Sequence, residues 1–269
     1  FIIMILFSAW CFLKFSKEVA IGIILFSIFI YFGLTNMPWL PLILIYGLIG
    51  LKIGGLKLSL TIVASFLFIT FTGVLPQALL SIYLCGIAVI ISFILGSSLG
   101  IWAAHNDKVS AFMRPINDTM QTMPSFVILI PFVMFFGIGE FTALLAIIAY
   151  AFVPAMRYTE HGLRNLPETV IEAARMIGCS QTQLLWKVKI PLAMPVIMLG
   201  LNQTIMFGLA MLVIAALVGT TGLGQLIYIG LSKADFGTGM ISGVSIALIA
   251  IIFDRTTQAW RIKLEKKTQ

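Results

Sequence analysis

The residues whose types and spacing suit recognition chemistry are concentrated in one polar stretch, 167–191, PETVIEAARMIGCSQTQLLWKVKIP, set between two strongly apolar runs. Glu172 and Arg175 stand three residues apart with Ala173 and Ala174 between them, Gly178 follows, and Pro191 closes the stretch. A carboxylate and a guanidinium give a surface directional polar contacts, and two small side chains let a partner approach the backbone closely. That is the chemistry of docking. Taken by residue type alone, the same stretch also fits an amphipathic connector lying on a membrane surface.

The other reactive side chains do not assemble into a catalytic or metal-binding pattern. His105 and His161 are remote from each other in sequence and from any carboxylate cluster, which favours two interfacial polar residues over metal ligands. Cys11, Cys85 and Cys179 lack metal-ligand spacing, and two of them lie in apolar runs, where cysteine behaves as a small hydrophobe. The stretch 219–224, GTTGLG, has the glycines of a phosphate loop but lacks the Lys-Ser/Thr pair and follows no strand, which argues against nucleotide binding. Catalytic residues, bound cofactors and metals are therefore expected to be absent from this chain.

The docking stretch needs elements to hold it. Asn165 and Glu168 around Pro167 read as helix-start signals, and Gly178 as a left-handed stop. Val170, Ile171, Ala174 and Ile177 then fall on one face of a short helix of about three turns. Ser180 with Gln183 repeats the start signal, and a second helix through Leu184, Leu185 and Trp186 is expected to run until Pro191 interrupts its backbone donors. The stretch reads as helix, glycine turn, helix.

Around it the composition is that of a membrane protein: 60% hydrophobic residues, 10% charged residues and a mean hydropathy of +1.09. Apolar runs cover residues 1–13, 19–34, 38–51, 58–75, 77–104, 122–137, 141–156, 191–218 and 238–253. Nine membrane segments are the upper bound. Several early runs fall short of the ~20 residues of a perpendicular span, leaving room for a tilted, re-entrant or surface-lying helix. With the docking stretch placed in the cytoplasm, alternation puts 16 of the 17 Lys and Arg residues inside and Lys233 alone outside. The net charge of +7 is then explained by lipid headgroups, with no basic stripe for nucleic acid.

Within the runs, Asn202, Gln203 and Thr204 are polar groups at membrane depth, and Gln121 with Thr122 enters the run 122–137. Such groups serve helix-packing hydrogen bonds or line a pathway, and the sequence leaves both readings open. Gly50 with Gly54 and Gly96 with Gly100 have the small-xxx-small spacing of close helix packing. Glu140 and Asp254 sit near the ends of their runs, so no charge lies deep in a span. An ion-coupled secondary transporter of a small polar solute, the alternative reading, would need one.

Glu172-Ala173-Ala174, Gly178 and Val188-Lys189-Ile190-Pro191 together resemble the EAA signature of permease subunits in binding-protein-dependent ABC importers. There the last four residues usually read Ile-x-Leu-Pro, so Val188 and Ile190 are conservative departures. Leu99-Gly100-Ile101-Trp102, Met120 to Pro124, Pro191 to Pro195, Asn202-Gln203-Thr204, Gly222 to Gln225 and Asp254 to Ala259 follow in the order of the glycine betaine/proline betaine branch, a resemblance spanning residues 38–260.

The resemblance implies an all-α, polytopic type I importer permease with about seven to nine membrane helices and a cytoplasmic coupling helix. Three regions are expected: N-terminal hydrophobic segments (1–37), the permease domain (38–260) and a basic cytoplasmic tail (261–269). Glu172, Ala173, Ala174, Arg175, Gly178 and Pro191 would couple to a separate ATPase carrying ATP and Mg. Gln121, Thr122, Asn202, Gln203 and Thr204 are pathway candidates. Implied partners are a second copy of the chain, cytoplasmic ATPase subunits, an extracytoplasmic substrate-binding protein and the lipid bilayer, with no nucleic acid. The implied cargo is glycine betaine or a related solute (proline betaine, choline, carnitine, trimethylamine N-oxide), and the implied location a bacterial or archaeal cytoplasmic membrane.

Overall fold

A computed structural model of the chain describes residues 38–268. The expected segments 1–13 and 19–34, and Cys11, lie outside the described residues. The described chain runs as α1 Trp39–Phe71, α2 Leu75–His105, α3 Asp107–Thr122, α4 Ser125–Phe136, α5 Glu140–Arg164, α6 Glu168–Met176, α7 Gln181–Val218, α8 Leu223–Ser232 and α9 Phe236–Thr268. No strand occurs among the described residues.

The first helix is folded on itself. Gly55 has φ 75° and ψ −166°, and the Ser59 hydroxyl donates to Gly47 O at 2.8 Å. Twelve residues of continuous helix would hold these groups ~18 Å apart, so the chain doubles back at Gly55. The runs 38–51 and 58–75 thus become arms of one hairpin, with Gly50 against Ile62 and Gly54 against Leu58 and Ala259.

At the centre, α5 lies between α2 and α7, and α9 closes the bundle against α7, α8 and α1. Phe66, Leu79, Ile147, Met211, Leu212 and Ile249 are buried in its shared core. The small-xxx-small pair on α2 sets the closest approach: a Cβ on Gly96 would stand 2.6 Å from the Ala155 Cβ, and one on Gly100 2.6 Å from Met156 O. Backbone meets backbone there, as the spacing predicts.

By length and composition five helices (α1, α2, α5, α7 and α9) can cross a membrane, α1 only when its two arms are counted as one length, and a sixth span results if α3 and α4 are taken together. That last pair is bent by 102°. Met123 before Pro124 is extended (φ −70°, ψ 133°), because the proline ring disfavours a helical residue ahead of it. The difference from seven to nine has three sources: two runs lie outside the described residues, two are hairpin arms, and 122–137 is the short α4.

Basic residues gather at one end. Lys263 donates to Lys52 O, Lys189 Nζ lies 3.4 Å from His105 Nε2, and Arg164 pairs with Asp107 at 2.8 Å. The other end carries the Glu140–Thr221 hydrogen bond and the Leu223 N–H donating to Ser81 Oγ at 2.8 Å. α9 continues unbroken beyond residue 260, so the basic tail is the end of that helix.

Candidate coupling loop and charged cavity

The docking stretch is a hairpin of two helical pieces. Its first piece, α6, begins at Pro167 with no side-chain cap. The cap expected from Asn165 is absent, because its amide turns back to His161 O at 2.9 Å and completes the end of α5 instead. Gly178 takes φ 86°, and the turn closes with Gly178 N–H donating to Arg175 O (2.9 Å) and Cys179 N–H to Ala174 O (3.3 Å). Only glycine adopts this left-handed stop without strain. Ser180 and Gln183 form the expected capping box.

The second piece departs from expectation at Pro191. The chain passes through it without a break, as a π-helical turn, Leu184–Lys189, that leads straight into the α-helical Ile190–Ala215. In that turn the Ile190 N–H reaches Leu185 O, five residues back. The wider step shifts the ladder just where the proline has no donor, and places Pro191 at the first turn of the next α-helix, where none is needed. The docking loop is therefore continuous with a membrane helix at its exit.

Its apolar face also differs from the periodic reading. Ala174 is buried and Ile171 half-buried, but Val170 and Ile177 lie open, although Ile177 still donates its N–H to Ala173 O in helical register. Met176 and Ile177, at 89% and 84% exposure, form an apolar tip beside the exposed Glu172, Ala173 and Arg175.

The polar residues of the spans separate into different settings. Asn202 donates to Asp254 Oδ1 at 2.9 Å and accepts from the Thr257 hydroxyl at 2.6 Å, while Gln258 also bonds the Asp254 carboxylate. Thr204 is fully buried and bonds Gly200 O on its own helix. Gln203 is half-buried. Gln121 and Thr122 do not open α4: they end α3 ahead of the bend, where Gln121 accepts from Arg157 at 2.6 Å and Thr122 bonds Asp118 O. The break at Met123–Pro124 excludes them from α4.

Between α3 and the last turns of α5 lies a cavity of about 720 Å³. Arg114, Asp118 and Gln121 face Arg157, Tyr158, Glu160, His161 and Arg164 across it. Arg157 pairs with Asp118. Arg164 bonds Glu160 (3.1 Å), Asp107 (2.8 Å) and Ala103 O (2.7 Å), and Ser110 donates to the buried Glu160. The sequence reading did not single out this cluster. Its signal was present as Arg157, Glu160, His161 and Arg164 at helical spacing on one strip, opposite Asp107, Arg114 and Asp118 on another.

At the α8–α9 turn Asp235 caps α9, accepting from the Thr238 hydroxyl at 2.7 Å and the Thr238 N–H at 3.2 Å. The Thr238 hydroxyl bond, above all, holds its carboxyl below the usual carboxylate range.

Comparison with known proteins gives this geometry a family. Residues 96–259 match the profile of "Binding-protein-dependent transport system inner membrane component". The chain is 40% identical over 226 residues to the glycine betaine/proline betaine transport system permease ProW of Escherichia coli K12, covering 84% of this chain and 64% of that protein. It is 37% identical to the glycine betaine transport system permease OpuAB of Bacillus subtilis 168, over 95% of this chain and 90% of that one. It is 42% identical to the trimethylamine N-oxide transport system permease TmoV of Pelagibacter ubique, over 84% of this chain and 31% of that one.

The chain thus spans less than two thirds of the length of ProW and about a third of TmoV. In fold it is similar to a chain of the inward-facing MetNI methionine ABC transporter, with a TM-score of 0.62 at 18% identity, covering 71% of this chain and 95% of that one. The all-helical permease architecture implied by the sequence is met. With more than half its length matched by the profile, the chain belongs to the binding-protein-dependent transport system inner membrane components.

Proposed function

We propose that this chain is the membrane-spanning permease subunit of an ATP-driven importer for glycine betaine or a related quaternary amine or N-oxide. The observation that carries the reading is the coupling loop. Its glycine-stopped helix presents an open apolar tip, Met176 and Ile177, beside Glu172 and Arg175, and the second piece, beyond the Gly178 turn, runs without a break into the membrane-spanning part of α7. A short stiff lever of this kind transmits displacement into the bundle. Similarity to permeases named for glycine betaine and trimethylamine N-oxide supports the cargo class.

In this reading Glu172, Ala173, Ala174, Arg175 and Gly178 meet a separate ATPase, which holds ATP and Mg and performs the hydrolysis. Pro191 marks the point within α7 where the π turn of the lever passes into regular α-helix. Two copies of the chain form the pore, and a substrate-binding protein delivers the solute at the Glu140–Thr221 end. The assembly sits in a bacterial cytoplasmic membrane with the basic end inside, and no nucleic acid takes part. Asn202 and Thr204 are assigned to helix packing; Gln203 remains the pathway candidate of that trio.

The test is uptake into proteoliposomes holding this chain, its ATPase and its binding protein, with labelled glycine betaine, choline and trimethylamine N-oxide compared. Uptake that needs ATP and all three proteins is the expected result. Uptake by this chain alone on an ion gradient overturns the reading in favour of a secondary carrier.

A further inference from the structure

A single side-chain bond tethers the docking loop to the bundle. Among the described residues, Lys189 and His105 make the one side-chain hydrogen bond or ion pair that joins 167–191 to the rest of the chain, with Nζ 3.4 Å from Nε2. Lys189 closes the π turn, and His105 is the last residue of α2. Next to the pair along the chain, Ile101 and Ala104 of α2 and Ile190 of α7 pack on a small apolar cluster of Leu163, Ala193 and Ile197. The bond therefore joins the exit of the loop to the end of α2.

The ring has both nitrogens committed. Nδ1 lies 2.8 Å from Ile101 O, and a carbonyl can only accept, so the proton of the neutral imidazole sits on Nδ1. Nε2 keeps its lone pair toward Lys189, whose ammonium can only donate. A second proton changes one side of this arrangement alone. The bond to Ile101 O survives, while Nε2 becomes a donor facing a donor and the ring a cation beside a cation.

The neighbouring charges do not relieve that conflict. Arg175 on α6 repels the same ammonium through space. Asp107, two residues on from His105 at the start of α3, is held by Arg164 of α5 at 2.8 Å. Lys108 on α3, Glu172 on α6 and Lys187 on α7 bond neither partner, and His161 on α5 meets Asn165 instead. His105 is exposed, so a proton reaches it from the basic side, whereas Lys189 is partly buried, where water screens a like charge less than in the open.

We propose that His105 is a positioning residue for the coupling loop, holding Lys189 while neutral, and that its protonation releases the loop from α2 and uncouples solute transport from ATP hydrolysis in acid. The proposal rests on the importer reading, because a pin on this loop matters to transport only if the loop transmits force.

The experiment uses proteoliposomes holding the permease, its ATPase and its binding protein, with labelled glycine betaine. The ratio of solute taken up to ATP hydrolysed is measured as the pH on the nucleotide side falls from about 8 to about 5.5, the interval in which histidine changes charge. The wild-type ratio is expected to fall several-fold across the interval. His105→Gln, which offers a carbonyl acceptor that does not titrate, is expected to hold a constant ratio. His105→Lys, a permanent cation, is expected to show the low ratio already at pH 8. A matched melting temperature verifies that each variant is folded.

A constant wild-type ratio, a parallel fall in His105→Gln, or a wild-type ratio for His105→Lys at pH 8 overturns the pin alone. Absence of ATP-driven uptake by the wild type at pH 8 sinks the importer reading and the pin with it.

Discussion

The side-chain amide of Asn202 on α7 donates to Asp254 on α9 at 2.9 Å, and the Thr257 hydroxyl returns a hydrogen bond to the Asn202 carbonyl at 2.6 Å. Two helices that share mainly apolar contacts are thereby fixed in register by one nearly buried amide. Replacing Asn202 by Leu strands part of the Asp254 carboxylate, a loss of about 1–3 kcal/mol. The expected outcome is a lower melting temperature of the purified complex with an unchanged KM for uptake. A raised KM at unchanged stability would place Asn202 on the pathway instead.

Gly178 stands at φ 86° with open space around its Cα. Any L residue there carries backbone strain of about 1–2 kcal/mol, and a β-branched one more. Gly178→Val is expected to distort the turn that holds α6, so that ATP hydrolysis persists while solute uptake falls several-fold. The bundle core does not involve this residue, and the helix content of the variant by circular dichroism should match the wild type. Coupled uptake at the wild-type ratio of solute to ATP would count against the lever.

Two glycines of α2 should respond in opposite directions. A Cβ on Gly100 meets Met156 O at 2.6 Å, whereas one on Gly86 meets nothing within 4 Å. Gly100→Ala is expected to destabilise by about 1–3 kcal/mol through forced separation of α2 and α5. Gly86→Ala should be neutral or stabilise by up to about 1 kcal/mol through helix propensity. Thermal unfolding in detergent, with the two variants side by side, reads the contrast.

Asp235 has its carboxyl lowered first by the Thr238 hydroxyl, so its contribution to the start of α9 is present above the unfolded carboxylate range. It is lost as pH falls through the lowered folded value. Asp235→Asn, which keeps the shape but not the charge, should match the wild type in acid and show faster Thr238 amide exchange at neutral pH. Identical exchange at neutral pH would show that the charge adds nothing to the cap.

What the sequence determined by itself was what depends on residues close together in the chain. Apolar runs gave the helices, Gly96 and Gly100 gave a close packing face, Gly178 and the Ser180–Gln183 box gave the turn of the coupling loop, and the basic residues gave the ends. Each follows from a side chain's size, charge or φ preference within a few positions.

The tertiary structure decided what depends on competition between partners. Asn165 looked like a cap but found His161 O first, and Pro191 looked like a stop until a π turn shifted the hydrogen bonds around it. Asp118 stood one turn from Arg114 but was claimed by Arg157 from α5, which left Arg114 unpaired on a cavity wall. A polar group takes whichever partner the packed helices bring within reach, and a linear pattern cannot rank partners some forty residues apart.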